Sequence, residues 1–218
     1  MPLETIGPIP VTFDPDVIGS RIRVEPGRLE EFIALARGLI RPRAIYETAF
    51  IGAKGERTVE VAGIIFDSLV LRKNLEGVHK VFPYIITIGP VLERFASAQG
   101  DLLEQYNLEE MAHIAMESAA GWLSHRLETS FGVTGLANMS PGSLEDWPLT
   151  EQTKLFSIFG DTERLIGVRL TDSFLMVPRK SISGILFPSE EGFMSCQLCD
   201  RGHCPSRKAA YAGAGPTG

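Results

Sequence analysis

The sequence predicts an α+β fold in which a mostly antiparallel, twisted sheet is packed by helices. Apolar residues recur with helical periodicity in several segments, the longest at residues 108–129. Short β-rich runs, such as residues 80–88, fall between these segments. Helices and hairpins mix without the strict strand–helix alternation of a doubly wound parallel sheet, which favours the α+β class.

The helical patterns have recognisable ends. The first covers residues 29–41 and stops at Pro42, because proline cannot continue a helix. The longest has Asn107 as its predicted N-cap, with Glu109 and Glu110 in its first turn. Small residues along its buried stripe would let it pack closely on the sheet. Further helices are predicted at residues 64–75, with a start near Ile64 or Ser68, and at residues 91–99 and 148–159.

Strands are predicted between these helices. A hairpin is expected where Gly52 and Gly55 separate two extended runs. An edge strand is predicted at residues 10–13, and the other strands at residues 44–51, 57–62, 80–88, 131–137, 165–170, 173–177, 183–187 and 192–198.

Composition limits the possible functions. The chain has 218 residues, 44% of them hydrophobic, and a formal net charge of −6. That charge argues against non-specific nucleic-acid binding. No apolar run is long enough to span a membrane, and the N-terminus lacks the features of a signal peptide. We therefore expect a cytoplasmic protein, with one domain at residues 1–190 and a cysteine-bearing segment and flexible tail at residues 191–218.

A turn followed by a helix is the central feature of the sequence. Residues 139–152 read MSPGSLEDWPLTEQ, and Ser140-Pro141-Gly142 is a tight-turn signal. Pro148 precedes a helical pattern, so a loop should lead into a helix N-terminus. Such a place suits a polar or anionic group of a small molecule. A plain strand–turn–helix connector explains the same pattern.

This turn and the later run RLTDSFLMVPRKSISGILF resemble the activation domain of cobalamin-dependent methionine synthase. The resemblance covers most of the chain and is best from Asn138 to Phe187. In that family an Arg-x-x-x-Gly-Tyr-type loop binds S-adenosylmethionine (AdoMet). With Pro141-Gly142 on the family's Pro-Gly, the arginine falls on Asn138 and the tyrosine on Ser143, so both recognition side chains differ here.

The resemblance implies reductive activation of a corrinoid protein. Its cob(II)alamin would accept one electron from a donor protein, and AdoMet would methylate the product. The AdoMet-binding residues implied are Asn138, Ser140, Pro141, Gly142 and Ser143, with Glu117 on the long helix near the amino group. No residue is assigned acid–base or nucleophilic catalysis, so enzyme status stays open. A structural role for Glu117 as an exposed helix residue is the alternative.

The three cysteines form a second feature. Cys196, Cys199 and Cys204 follow a C-x2-C-x4-C spacing near the C-terminus. An odd, clustered set is not a disulfide framework, and this spacing is typical of metal-binding thiolates. A [4Fe–4S] cluster, zinc with His203 as fourth ligand, and three ordinary thiols all remain open.

Two other functions remain open from the sequence. The chain could be an accessory module that docks on a corrinoid methyltransferase, with structural zinc and no AdoMet. It could also be a ferredoxin-like redox partner with no corrinoid role.

Overall fold

In a computed structural model, the chain folds as a curled antiparallel sheet between two layers of helices. The structure describes residues 3–189, 193, 195–199, 202–203, 207 and 209–212. The helices are α1 (Pro15–Arg21), α2 (Leu29–Leu39), α3 (Leu69–Asn74), α4 (Val91–Ser97), α5 (Leu102–Phe131), α6 (Gln152–Ser157) and α7 (Thr162–Ile166). The strands are β1 (Leu3–Ile6), β2 (Arg43–Glu47), β3 (Ala49–Lys54), β4 (Thr58–Val61), β5 (Ile64–Asp67), β6 (Lys80–Thr87), β7 (Leu136–Met139), β8 (Arg169–Leu170), β9 (Met176–Val177) and β10 (Ser181–Pro188).

Strand β6 is the centre of the sheet. It pairs with β2 and β3 along one edge and with β10 along the other, always antiparallel. Strand β1 extends the sheet beyond β2, β4 and β5 extend it beyond β3, and β7 extends it beyond β10. Strands β8 and β9 form a separate two-stranded sheet. The predicted fold class is therefore confirmed.

Alternate side chains of β6 enter two different hydrophobic cores, because successive residues of a strand face opposite sides. Phe82, Tyr84 and Ile86 pack in a core with α1, α2, α4 and α5. Val81 and Ile85 pack in a second core with residues of α3, α6 and α7. Burial on both faces explains why β6 reads as a continuous apolar run.

The long helix begins earlier than its sequence pattern predicted. Asp101 is the N-cap, and its carboxylate accepts from the backbone N–H groups of Leu103 and Glu104 at 2.7 and 3.4 Å. Asn107 lies inside the helix and is buried. Its side chain accepts from Arg23 N at 2.9 Å and donates to Arg23 O at 3.0 Å. The predicted N-cap was wrong because the Asn107 side chain hydrogen-bonds the backbone of Arg23 in a neighbouring segment, and not the backbone of its own helix.

Other boundaries also differ from prediction. Residues 10–13 form no strand, and the edge strand is β1 instead. Of the two predicted starts of the helix that ends at Leu75, Ser68 is confirmed, because its hydroxyl caps α3, whereas Ile64–Asp67 form β5. Helix α7 occupies the start of the strand predicted at 165–170. Within the last predicted strand, Ser195–Gln197 form a 3-10 turn.

None of the helices in the described ranges is long and apolar enough to cross a lipid bilayer. The proposed boundary near residue 190 stays a prediction. Among the described residues beyond it, Phe193 packs against the second core.

Candidate functional site

The central turn follows β7, which lies at the edge of the sheet beside β10. Asn138 of β7 pairs in register with Leu186, and Met139 pairs with Ile185. Ala137 and Met139 point into the second core. Asn138 therefore faces the opposite side of the sheet, the side covered by α5.

A hydrogen-bonded network holds the start of the turn. The Tyr84 hydroxyl lies 3.1 Å from Asn138 Oδ1, to which it donates, and Asn138 Nδ2 donates to Ser140 Oγ at 3.3 Å. Burial raises the pKa of the Tyr84 hydroxyl well above its usual value, against a smaller lowering effect of Ser140 and Asn138. The hydroxyl therefore stays protonated and remains a hydrogen-bond donor.

Gly184 makes room for this network. It lies opposite Tyr84 in the β6–β10 register. A Cβ atom at Gly184 would stand 2.7 Å from Asn138 Oδ1 and 2.8 Å from Ser140 Oγ. A side chain at this position would thus occupy the space that the two polar groups use.

The turn itself closes through its own backbone. Gly142 N donates to Trp147 O at 2.7 Å, and Ser143 N donates to Ser140 O at 3.2 Å. The Ser143 hydroxyl donates to the same carbonyl at 2.6 Å. Gly142 has a φ of +79°, a conformation that glycine adopts without strain. The N–H groups of residues 142 and 143 are therefore already engaged within the turn, although the sequence predicted that this loop would suit a polar or anionic group of a small molecule.

Asp146 anchors the turn to the second layer of helices. Its carboxylate accepts from Ser68 Oγ at 2.6 Å and from Val70 N at 2.8 Å, at the start of α3. It also accepts from Arg57 Nη2 at 2.9 Å. Burial alone would raise the pKa of Asp146, but these hydrogen bonds and the Arg57 charge outweigh it, so its pKa lies below the usual value.

Glu151 makes a parallel anchor at the start of the next helix. It is buried, its Oε2 accepts from Asp67 N at 3.2 Å, and its Oε1 pairs with Lys154 at 2.7 Å. Asp146 and Glu151 thus fasten the residues after the turn to the β5–α3 junction. Both carboxylates are therefore paired with groups of the protein itself.

Glu117 lies on α5 and faces a different neighbour. Its carboxylate accepts from Arg21 Nη1 of α1 at 2.8 Å. Arg21 also pairs with Glu110, which lies about two turns earlier on the same face of α5. Among the residues that the structure describes, no hydrogen bond joins Glu117 to residues 138–143.

The cysteine segment folds around an arginine. Arg207 Nη1 donates to Cys196 O at 2.9 Å, and Arg207 Nη2 donates to Cys199 O at 3.1 Å. Both cysteine side chains are half-buried. Cys204 lies outside the described residues. Within those residues, no group of three or more His, Cys, Asp or Glu side chains is arranged to hold a metal ion.

Two comparisons bear on the identity of this fold. Residues 141–198 match the family described as vitamin B12 dependent methionine synthase, activation domain. The resemblance predicted from the sequence is confirmed. That match starts inside the central turn and ends just before Cys199.

The whole fold has a solved counterpart. A crystal structure of the MetH reactivation domain bound to AdoHcy superposes with a TM-score of 0.62 at 15% identity. The alignment covers 89% of this chain and 81% of that chain. No curated protein sequence matches the chain.

Several residues of the site could not be picked out from the sequence. Along the chain, Tyr84 lies 54 residues and Gly184 lies 46 residues from Asn138. The two residues pair directly with each other across β6 and β10, and both lie next to the turn. Ser68 was predicted only as a possible helix start, and its contact with Asp146 spans 78 residues. Only the register of the sheet brings these groups together.

Replacing Asp146 tests the anchor of the turn. We expect Asp146→Asn to lower the free energy of unfolding at pH 7 by about 1–3 kcal/mol, since charged hydrogen bonds to Ser68, Val70 and Arg57 are lost. Because the folded-state pKa is lowered, this stabilisation exists above the unfolded pKa and is lost as the pH falls through the folded pKa.

Urea unfolding of both proteins between neutral pH and about pH 3 measures this difference. Glu145→Gln is the matched control, because Glu145 is the exposed neighbouring carboxylate. A difference between wild type and Asp146→Asn that stays constant down to acid pH would contradict the assignment.

Proposed function

We propose that this chain reactivates a corrinoid protein, as a counterpart of the methionine synthase activation domain. The observation that carries the proposal is the family match over residues 141–198 within a fold that matches the reactivation domain along 89% of the chain. The partner would be the corrinoid protein of a methionine synthase or a related corrinoid methyltransferase. The supporting structure is a turn that β6, β10 and α3 hold in a fixed position.

The proposed reaction uses the partner's cob(II)alamin and AdoMet as substrates. One electron from a low-potential donor protein reduces cob(II)alamin. The reduced cobalt then takes the methyl group, so that a Co–C bond forms, the S–C bond of AdoMet breaks and AdoHcy leaves. The contribution of this chain is to position the methyl group and exclude water, since no side chain is needed to move a proton.

The turn offers AdoMet fewer free groups than the sequence predicted. Asn138 is held by Tyr84 and Ser140, and Glu117 is held by Arg21. What remains at the turn is the exposed backbone surface of Gly142 and the acceptor lone pairs of the Ser143 hydroxyl, whose hydrogen is donated to Ser140 O. We propose that AdoMet binds over this backbone, with its position set by the rigid turn and not by an arginine–tyrosine pair.

Calorimetric titration of the protein with AdoMet tests this site. We expect saturable binding that Gly142→Ala weakens by roughly tenfold, because a Cβ there would stand 3.0 Å from Leu149 Cδ1 and displace the turn. Gly160→Ala is the matched control: Gly160 has a similar φ of +72°, but a Cβ there would meet nothing within 4 Å.

If Gly142→Ala and Gly160→Ala weakened AdoMet binding equally, the binding site would lie away from the central turn. The absence of heat in the wild-type titration would remove AdoMet from the proposal altogether.

The closed turn also favours a second candidate function. A chain whose turn donors and acidic side chains are internally paired could act as a docking module for a corrinoid methyltransferase without binding AdoMet. Co-purification of a complex with the corrinoid protein, together with a silent AdoMet titration, would support this candidate over the first.

We also propose that the cysteine segment binds a metal through thiolates. The Arg207 guanidinium donates to the carbonyls of Cys196 and Cys199. In addition, Ala212 N donates to Gln197 O at 2.8 Å. The guanidinium would offset the negative charge of nearby thiolates. Cys199 and Cys204 lie beyond the family match, so this site would be an addition to the activation domain. A [4Fe–4S] cluster there would relay the electron to cobalt, whereas zinc would brace the segment.

Metal analysis of anaerobically purified protein decides between these metals. Iron with acid-labile sulfide and a visible absorbance that dithionite bleaches would identify a cluster, and zinc alone would identify a structural site. We expect Cys196→Ser and Cys199→Ser to lose the metal, and Arg207→Gln to retain less of it than wild type. Metal-free wild-type protein would contradict the proposal.

A further inference from the structure

A cavity on the opposite edge of the sheet from β7 contains two arginines. It has a volume of about 450 Å³ and lies between the end of β1, the start of β2 and helix α7. The lining residues are Thr5, Ile6, Gly7, Pro8, Arg41, Pro42, Arg43 and Leu165. We propose that this cavity binds an organic anion through a phosphate or carboxylate group.

The backbone of the cavity is fixed by hydrogen bonds on both sides. Arg41 N donates to Ile88 O at 2.7 Å, and Ile9 N donates to Pro42 O at 3.0 Å. Ile6 pairs with Ala44 in the β1–β2 register. The two arginines therefore start from a rigid base, which limits the entropy lost when a ligand binds.

Arg41 is held in place while part of its guanidinium stays available. Its Nη1 donates to Gly38 O at 2.9 Å and to Ile40 O at 2.6 Å, two carbonyls at the C-terminal end of α2. These bonds use the hydrogens of one nitrogen, and a guanidinium carries five N–H donors. Among the residues that the structure describes, no other side-chain bond of Arg41 is formed, which leaves the remaining donors for an anion in the cavity.

Arg43 lies close to the backbone of Gly7. A Cβ atom at Gly7 would stand 3.0 Å from Arg43 Cγ, so the glycine gives the arginine side chain its space. Within the described part of the chain, the Arg43 side chain makes no hydrogen bond or ion pair, although its backbone belongs to the β2–β6 ladder, and neither arginine pairs with a carboxylate. The lining includes no acidic residue.

The absence of carboxylate partners at Arg41 and Arg43, within the described residues, differs from what is found at several other arginines of the molecule. The chain carries a net charge of −6, and its other arginines commonly meet Asp or Glu, as Arg21, Arg57 and Arg179 do. Two arginines without carboxylate partners on one cavity make a local positive site. Guanidinium groups bind phosphate and carboxylate through paired N–H donors, which sets the ligand class.

The size of the cavity points to an organic anion and not to a bare ion. Its volume lies within the range of small-molecule sites. Ile6 and Leu165 are apolar residues of the lining, and Thr5 is a further polar one. The cavity lies apart from the central turn and shares no residue with it, so this inference is independent of the proposed function.

Titration with citrate and with inorganic pyrophosphate in low-salt buffer tests the site, read by calorimetry and by amide chemical shifts. We expect saturable binding of at least one anion, with shifts at Thr5–Gly7 and Arg43. Arg43→Gln should weaken it about tenfold. Arg94→Gln is the matched control, because Arg94 is an exposed arginine on α4 that does not line the cavity.

The two anions separate a carboxylate site from a phosphate site. Arg41→Gln should act in the same direction as Arg43→Gln, and circular dichroism checks that each variant is folded. Should Arg94→Gln weaken binding as much as Arg43→Gln, the effect would be one of net charge and the proposal would be overturned. Absence of saturable binding to either anion would overturn it as well.

Discussion

The rest of the structure depends on the burial of β6 on both faces and its pairing along both edges. One edge bonds to β2 and β3, the other to β10. Its alternate side chains supply both hydrophobic cores. A single strand thus fixes the helical layer of α5 relative to the layer of α3, α6 and α7. Apolar burial of this kind is the main favourable contribution to folding.

The candidate site is a consequence of that register. Because Tyr84 lies opposite Gly184, the Tyr84 hydroxyl reaches Asn138 on the strand beyond β10. The turn after β7 is then fastened on its other side by Asp146 to the start of α3. The turn is held from both layers, which suits a function that depends on positioning a ligand rather than on proton transfer.

Much of the fold could be predicted because local patterns and burial agree. The run of β6 and the helices α2 and α4 are visible in the sequence through their periodicity. Asn107 and Asp101 show where such reasoning fails. Both residue types are good N-caps, and only the tertiary contact of Asn107 with Arg23 decides between them.

The same limit applies to the site. The turn itself could be located, since Ser140-Pro141-Gly142 is a strong local signal. The hydrogen-bond partners of Asn138 and Glu117 could not be predicted, because Tyr84 and Arg21 reach these side chains only through tertiary packing. Pairing of these side chains within the protein changes which atoms remain for a ligand.

The most direct test of the central claim follows the cobalt of a corrinoid protein by visible absorbance. The corrinoid protein of a methionine synthase, isolated as cob(II)alamin, would be mixed anaerobically with a one-electron reductant and AdoMet, with and without this chain. We expect the chain to accelerate formation of methylcobalamin, and we expect the acceleration to require AdoMet. An unchanged rate, with a complex of the two proteins demonstrably formed, would contradict it.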